Sequence, residues 1–90
     1  MTPTQRRLAR HALGLPNTRN RSYRNSFLAT YCSGHYDQWI AMTEAGLAYH
    51  GVLHTPAGCK HQMRRFWLTC GGAEAALDPG ESLCPEDFPQ

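Results

Sequence analysis

Between Asp37 and Leu77 the chain changes its hydrophobic period twice, and that change limits the folds open to it more than any other feature. In DQWIAMTEAGLA, residues Trp39, Ile40, Thr43 and Leu47 fall at helical spacing; Asp37 is the expected N-cap, and Gly46 suits the left-handed position that ends a helix. The pattern then becomes extended over Leu47 to Leu53, with His50-Gly51 marking a bulge. Pro56 and Gly58 supply a turn, and a returning strand follows over Met63 to Thr69. Alternation along that strand puts Phe66 and Leu68 on one face and Arg65 and Trp67 on the other. Gly71-Gly72 leads into a short helix, AEAAL, which Asp78-Pro79-Gly80 terminates.

Upstream, Thr2-Pro3-Thr4-Gln5 has the form of a capping box with proline at the first helical position. Leu8, Ala12 and Leu15 continue one stripe and leave Arg6, Arg7 and Arg10 outside it, so a helix is predicted over residues 3 to 13, closed by Gly14 and Pro16. NTRNRS is a polar, basic loop. Tyr23, Phe27, Leu28 and Tyr31 then share one helical face, which predicts a second, short helix broken by Ser33-Gly34. The resulting order is three helices, a two-stranded hairpin, a short C-terminal helix and an extended tail. This is the order of a winged helix-turn-helix domain in the α+β class. The predicted division is residues 1–80 for the domain and 81–90 for an acidic, proline-containing tail, with Phe88 packed back on the body.

Ninety residues make one domain, and a chain of this size buries only about 60 to 65% of its unfolded surface. A hydrophobic fraction of 41% argues against wholesale disorder. No apolar run is long enough to span a bilayer, and MTPTQRRLARHALGL lacks the apolar block of a secretory signal, so a cytoplasmic location is expected. Cys32, Cys59, Cys70 and Cys84 are then expected as free thiols. The net charge of +2 hides a segregation. Residues 1 to 36 carry six arginines and no acid, whereas residues 66 to 90 carry five acids and no Lys or Arg. Such polarity points to an oriented encounter with an acidic partner.

The side chains bear on four kinds of chemistry. The five histidines have no paired carboxylates or nucleophile around them to organise acid–base work, so no enzyme activity is expected. Cys32-x2-His35 and Cys59-x-His61 have the donor types of a tetrahedral zinc site, but they lie on different elements and nothing local forces them together; no metal or other cofactor is expected. Nucleic-acid binding is favoured by Arg6, Arg7, Arg10, Arg19, Arg21 and Arg24, with Lys60, Arg64 and Arg65 in or beside the wing. The helix over 37–46 opposes base reading, because its outward residues Asp37, Gln38, Ala41 and Glu44 include two carboxylates and no cation. Protein recognition is suggested by arginine mixed with Tyr23, Tyr31, Tyr36 and Trp67, although Tyr23, Phe27, Trp39 and Phe66 are expected mainly in the core.

HALGLPNTRNRSYRNSFLA, YDQWIAMTEAGLA and FWLTCGGAEAALDPGESLCPEDFP together resemble a family of small uncharacterised phage and prophage proteins over nearly the whole chain. Gly46-Leu47 and Leu68-Thr69-x-x-Gly72 separately resemble the hairpin of MarR-like and PadR-like winged-helix regulators. The first resemblance implies a non-catalytic accessory protein of anti-defence or anti-CRISPR type. Its expected partner is a host protein or nucleoprotein complex that handles nucleic acid, engaged through the arginine-rich face. The second implies the alternative, a regulator binding duplex DNA as a homodimer. Neither resemblance supplies a catalytic residue.

Overall fold

The computed structural model describes residues 1–31, 33–55, 57–58 and 60–88. Helix α1 is Pro3–Leu13, strand β1 Phe27–Thr30, helix α2 Gly34–Glu44, strands β2 Ala48–His50 and β3 Met63–Leu68, and helix α3 Cys70–Ala75. The class is α+β, with three helices and a short antiparallel sheet in the order β1-β3-β2. The sheet has one strand more than the expected hairpin, and two helices rather than three precede that hairpin.

Helix α1 forms as its sequence predicts. Thr2 Oγ1 accepts from Gln5 N–H at 3.1 Å while Thr2 N–H donates to Gln5 Oε1 at 3.1 Å. At the other end Gly14 takes φ +80°, the left-handed value, with the Tyr23 ring lying where a Cβ would stand. That packing leaves Tyr23 63% exposed on its other side, so it is not a core residue.

The helix predicted over Tyr23 to Tyr31 is instead β1. Phe27 and Ala29 face the core and Leu28 faces outward, a period of two that the spacing of Tyr23, Phe27, Leu28 and Tyr31 does not distinguish from a helical stripe. Pairing with β3 decides it, in the register Phe27↔Phe66, Leu28↔Arg65, Ala29↔Arg64 and Thr30↔Met63. Asn25 extends the match, its side chain accepting from Leu68 N–H at 2.9 Å and donating to Leu68 O at 3.1 Å. Ser33, expected as a breaker, caps the next helix: its Oγ accepts from Tyr36 N–H at 3.1 Å. Helix α2 therefore starts before Asp37, which sits in its first turn and not at the cap. Gly46 has φ +78°, as its position after the helix requires. β2 is shorter than the extended pattern, and α3 begins three residues before AEAAL because the Thr69 hydroxyl accepts from Gly72 N–H.

All three helices join one core on one side of the sheet. Trp39 and Phe66, both fully buried, stack with centroids 5.5 Å apart, and Phe27 packs on Trp39 at 5.3 Å. Tyr36 meets Phe66 edge-on, and Leu8, Leu13, Met42 and Leu68 fill the remainder. Helices α1 and α3 are in contact, and Ala9 and Ala12 of α1, Ala73 of α3 and its C-cap Ala76 are fully buried in the same core. The segment after Gly80 lies against this body. Ser22 N–H donates to Ser82 O at 3.0 Å, Cys84 N–H to the buried Ser22 hydroxyl at 2.8 Å, and Phe88 is buried.

Candidate functional site

All nine lysine and arginine residues are candidates from sequence, and the fold divides them. Arg10 is spent inside the molecule. Its guanidinium grips Glu81 through two parallel hydrogen bonds of 2.5 and 2.8 Å and donates to Ala76 O at 3.0 Å. The pair is well covered, with side-chain exposure of 12% for Arg10 and 6% for Glu81. Glu81 also accepts from Asp78 N–H. The Arg10 hydrogen bond outweighs the cost of burial and, with that backbone bond and the Coulomb field of Arg10 and Arg6, pulls the Glu81 carboxyl down from the ordinary 4.5 to about 2. The same hydrogen bond raises Arg10. Arg6 pairs with Asp78, which Arg10 also approaches at 3.4 Å. The cationic start and acidic end of the chain thus meet each other, fastening α1 to the residues that follow α3.

Two further arginines act as local braces. Arg24 donates from Nε and Nη2 to His11 O at 3.2 and 2.7 Å, satisfying a carbonyl at the C-terminus of α1, and lies over the Tyr23 ring. Arg64 is half-buried on the core side of the sheet; it stands over the Tyr36 ring, and its Nη1 is 3.0 Å from His50 Nδ1.

Arg7, Arg19, Arg21 and Lys60 are exposed. Arg19 and Arg21 sit on a loop pinned by Asn17, whose Oδ1 accepts from Arg19 N–H at 3.0 Å and whose Nδ2 donates to Arg21 O at 2.8 Å and to Gly14 O at 3.0 Å. This loop borders a hollow shared with Tyr23, Cys84 and Glu86. Among the described residues, no ion pair ties Arg19 or Arg21 to a carboxylate.

Arg65 lies elsewhere, on the sheet face turned away from the helices, where its Nη1 donates to Ser26 Oγ at 3.2 Å. Beside it the register sets Tyr49 directly opposite Trp67, and the two rings stack at 5.3 Å with 17° between their planes. Tyr49 is 51% exposed and Leu28, opposite Arg65, is 38% exposed. Alternation placed Trp67 with Arg65 on this face, whereas Tyr49 was legible only once the register of the hairpin was known. Tyr36, considered with the exposed aromatics, is in the core.

Among the described residues no group of three or more His, Cys, Asp or Glu side chains is arranged to hold a metal. Of the proposed zinc donors, His35 and His61 are exposed, and Cys32 and Cys59 lie outside the described residues. Cys70 and Cys84 are free thiols. Among the described residues no helix is long and apolar enough to cross a membrane. No protein-family model, curated protein or solved structure matches the chain.

Proposed function

We propose that this chain is a non-catalytic accessory protein of phage type that acts by docking on an acidic surface of a host complex that handles nucleic acid, in the host cytoplasm. The observation that carries the reading is the pair Arg19 and Arg21, two exposed guanidiniums on a loop held in shape by one asparagine. Arginine is suited to such a role because its planar fork binds carboxylates and phosphates in two-point contacts, and a pinned loop loses little freedom on binding. Arg7 adds exposed charge, while Arg6 and Arg10 contribute to the fold and not to the contact.

Recognition of duplex DNA fits less well. Helix α2, the element expected to read bases, presents exposed Asp37 and Glu44 with no lysine or arginine.

Affinity capture from host lysate tests the proposal with the tagged chain and its R19E/R21E variant. Recovery of the partner is expected to fall roughly tenfold or more in the double variant, because reversed charges now face an acidic surface. Equal recovery by the two proteins, or recovery of no protein above background by either, contradicts the reading.

A further inference from the structure

We infer that the outer face of the sheet is a stacking platform for single-stranded nucleic acid, a surface separate from the Arg19/Arg21 loop and one that goes beyond protein docking. The face has two properties that together name its occupant. The first is an aromatic pair on the outer face, with Tyr49 51% exposed and Trp67 partly exposed beside it. Trp67 lies across Gly51, where even a β-carbon would stand only 3.4 Å from its ring, and Tyr49 stacks on it from the neighbouring strand. The core needs neither ring, since Trp39 and Phe66 fill it from the other side of the sheet.

The second property is charge. None of the seven acidic residues falls within residues 1–36 or 45–73, so every strand residue and the whole connection from β2 to β3 are free of carboxylates. Arg65 stands next to Trp67 in sequence and on the same face, and Lys60 is exposed in that connection. Aromatic faces beside a guanidinium, on strands that carry no carboxylate, are complementary to a polymer that offers a flat base and a phosphate at every step. A duplex hides its base faces, so the strand must be single. An acidic peptide would match the charge but offers a planar group only where an aromatic residue happens to fall, not at every step. Base faces and phosphates are common to RNA and DNA, and the platform uses only those.

Fluorescence anisotropy with labelled oligothymidylate and oligouridylate of about twenty nucleotides, at low salt, is the test. Wild-type protein is expected to bind at least one of them, more tightly than it binds a duplex of equal length. W67A should weaken that binding about tenfold or more, the loss typical of removing one stacked base contact. W67F, which keeps a ring, should lose less, and R65A should lower the salt dependence by roughly 0.7 in the log–log slope. Quenching of tryptophan emission by the strand should disappear in W67F, since Trp39 is wholly buried. Circular dichroism of the variants establishes that they fold. The inference is overturned if neither strand binds, if duplex binds as well as single strand, or if W67A binds like the wild type. It is also overturned if W67A instead abolishes self-association measured by sedimentation, which would make a second copy of the chain the occupant. Because R19E/R21E leaves the platform intact, loss of strand binding and loss of partner capture are separable.

Discussion

Gly72→Ala is expected to destabilise the domain by about 3 kcal/mol or more, the upper end of what overpacking a core costs. Gly72 is buried in the first turn of α3, and an added β-carbon would stand 1.9 Å from Leu47 O and 2.8 Å from Leu47 C. The obstacle is backbone that cannot easily give way. Leu47 O accepts from Thr69 N–H at 3.0 Å, Leu47 N–H donates to Met42 O at 2.9 Å, and the Thr69 hydroxyl donates to Gly46 O at 3.0 Å. These bonds tie the end of α2, the start of β2 and the start of α3 into one knot, so relief at Gly72 breaks hydrogen bonds elsewhere. For a domain of this size the midpoint of thermal unfolding should fall by roughly 12 to 24 °C. Gly71 is the control. Nothing lies within 4 Å of its added β-carbon, so Gly71→Ala should leave stability unchanged or raise it by about 0.5–1 kcal/mol. Equal thermal midpoints for the two variants would contradict the packing described.

Acid should dissolve the clamp between α1 and the C-terminal segment. Glu81 binds its proton at about 2 in the folded protein and near the ordinary 4.5 when unfolded. Between those values the unfolded state holds more protons, so the stabilisation is complete above pH 4.5 and is lost as pH falls towards 2. At about 1.4 kcal/mol per pH unit, the contribution is on the order of 3 kcal/mol. Glu81→Gln should remove a similar amount at pH 7, because it takes the two-point carboxylate partner from a covered guanidinium and leaves Arg10 only the longer approach to the exposed Asp78. Urea unfolding at pH 7 and at pH 2.5 checks both statements. Wild type should lose much more stability than the variant on acidification, and parallel losses would show that other carboxyls carry the transition.

What could be read from sequence depended on whether the controlling interaction was local. Thr2, Gln5 and Gly14 bracket α1 through contacts within three or four residues, and their roles were legible. So was the alternation of Phe66 and Leu68 against Arg65 and Trp67, because a strand enforces it. The segment from Tyr23 to Tyr31 was not. Its apolar spacing suited both periods, and the pairing that made it a strand comes from β3, nearly forty residues later. Ser33 is ambiguous for a related reason, since serine before glycine either breaks a helix or caps the next one, and only the position of β1 decides. Among the candidate cations, the nine residues were identifiable but their employment was not. Arg10 and Glu81 find each other across the fold, and that contact turns an apparent binding charge into a structural one. Tyr49 became a surface partner of Trp67 only through the register of β2 on β3.

Single-strand binding is assigned to the outer face of the sheet, whose strands carry no carboxylate, leaving the Arg6 and Arg10 cluster and helix α2 uninvolved. The most direct measurement is a residue-resolved NMR titration of the ¹⁵N-labelled protein with unlabelled oligothymidylate at low salt. The largest shifts are expected on Leu28, Tyr49, Arg65 and Trp67, including the Trp67 indole N–H, while the Arg10 guanidinium and the amides of α2 stay in place. Shifts concentrated on α1 or α2, or no shifts at saturating strand concentration, would contradict that assignment.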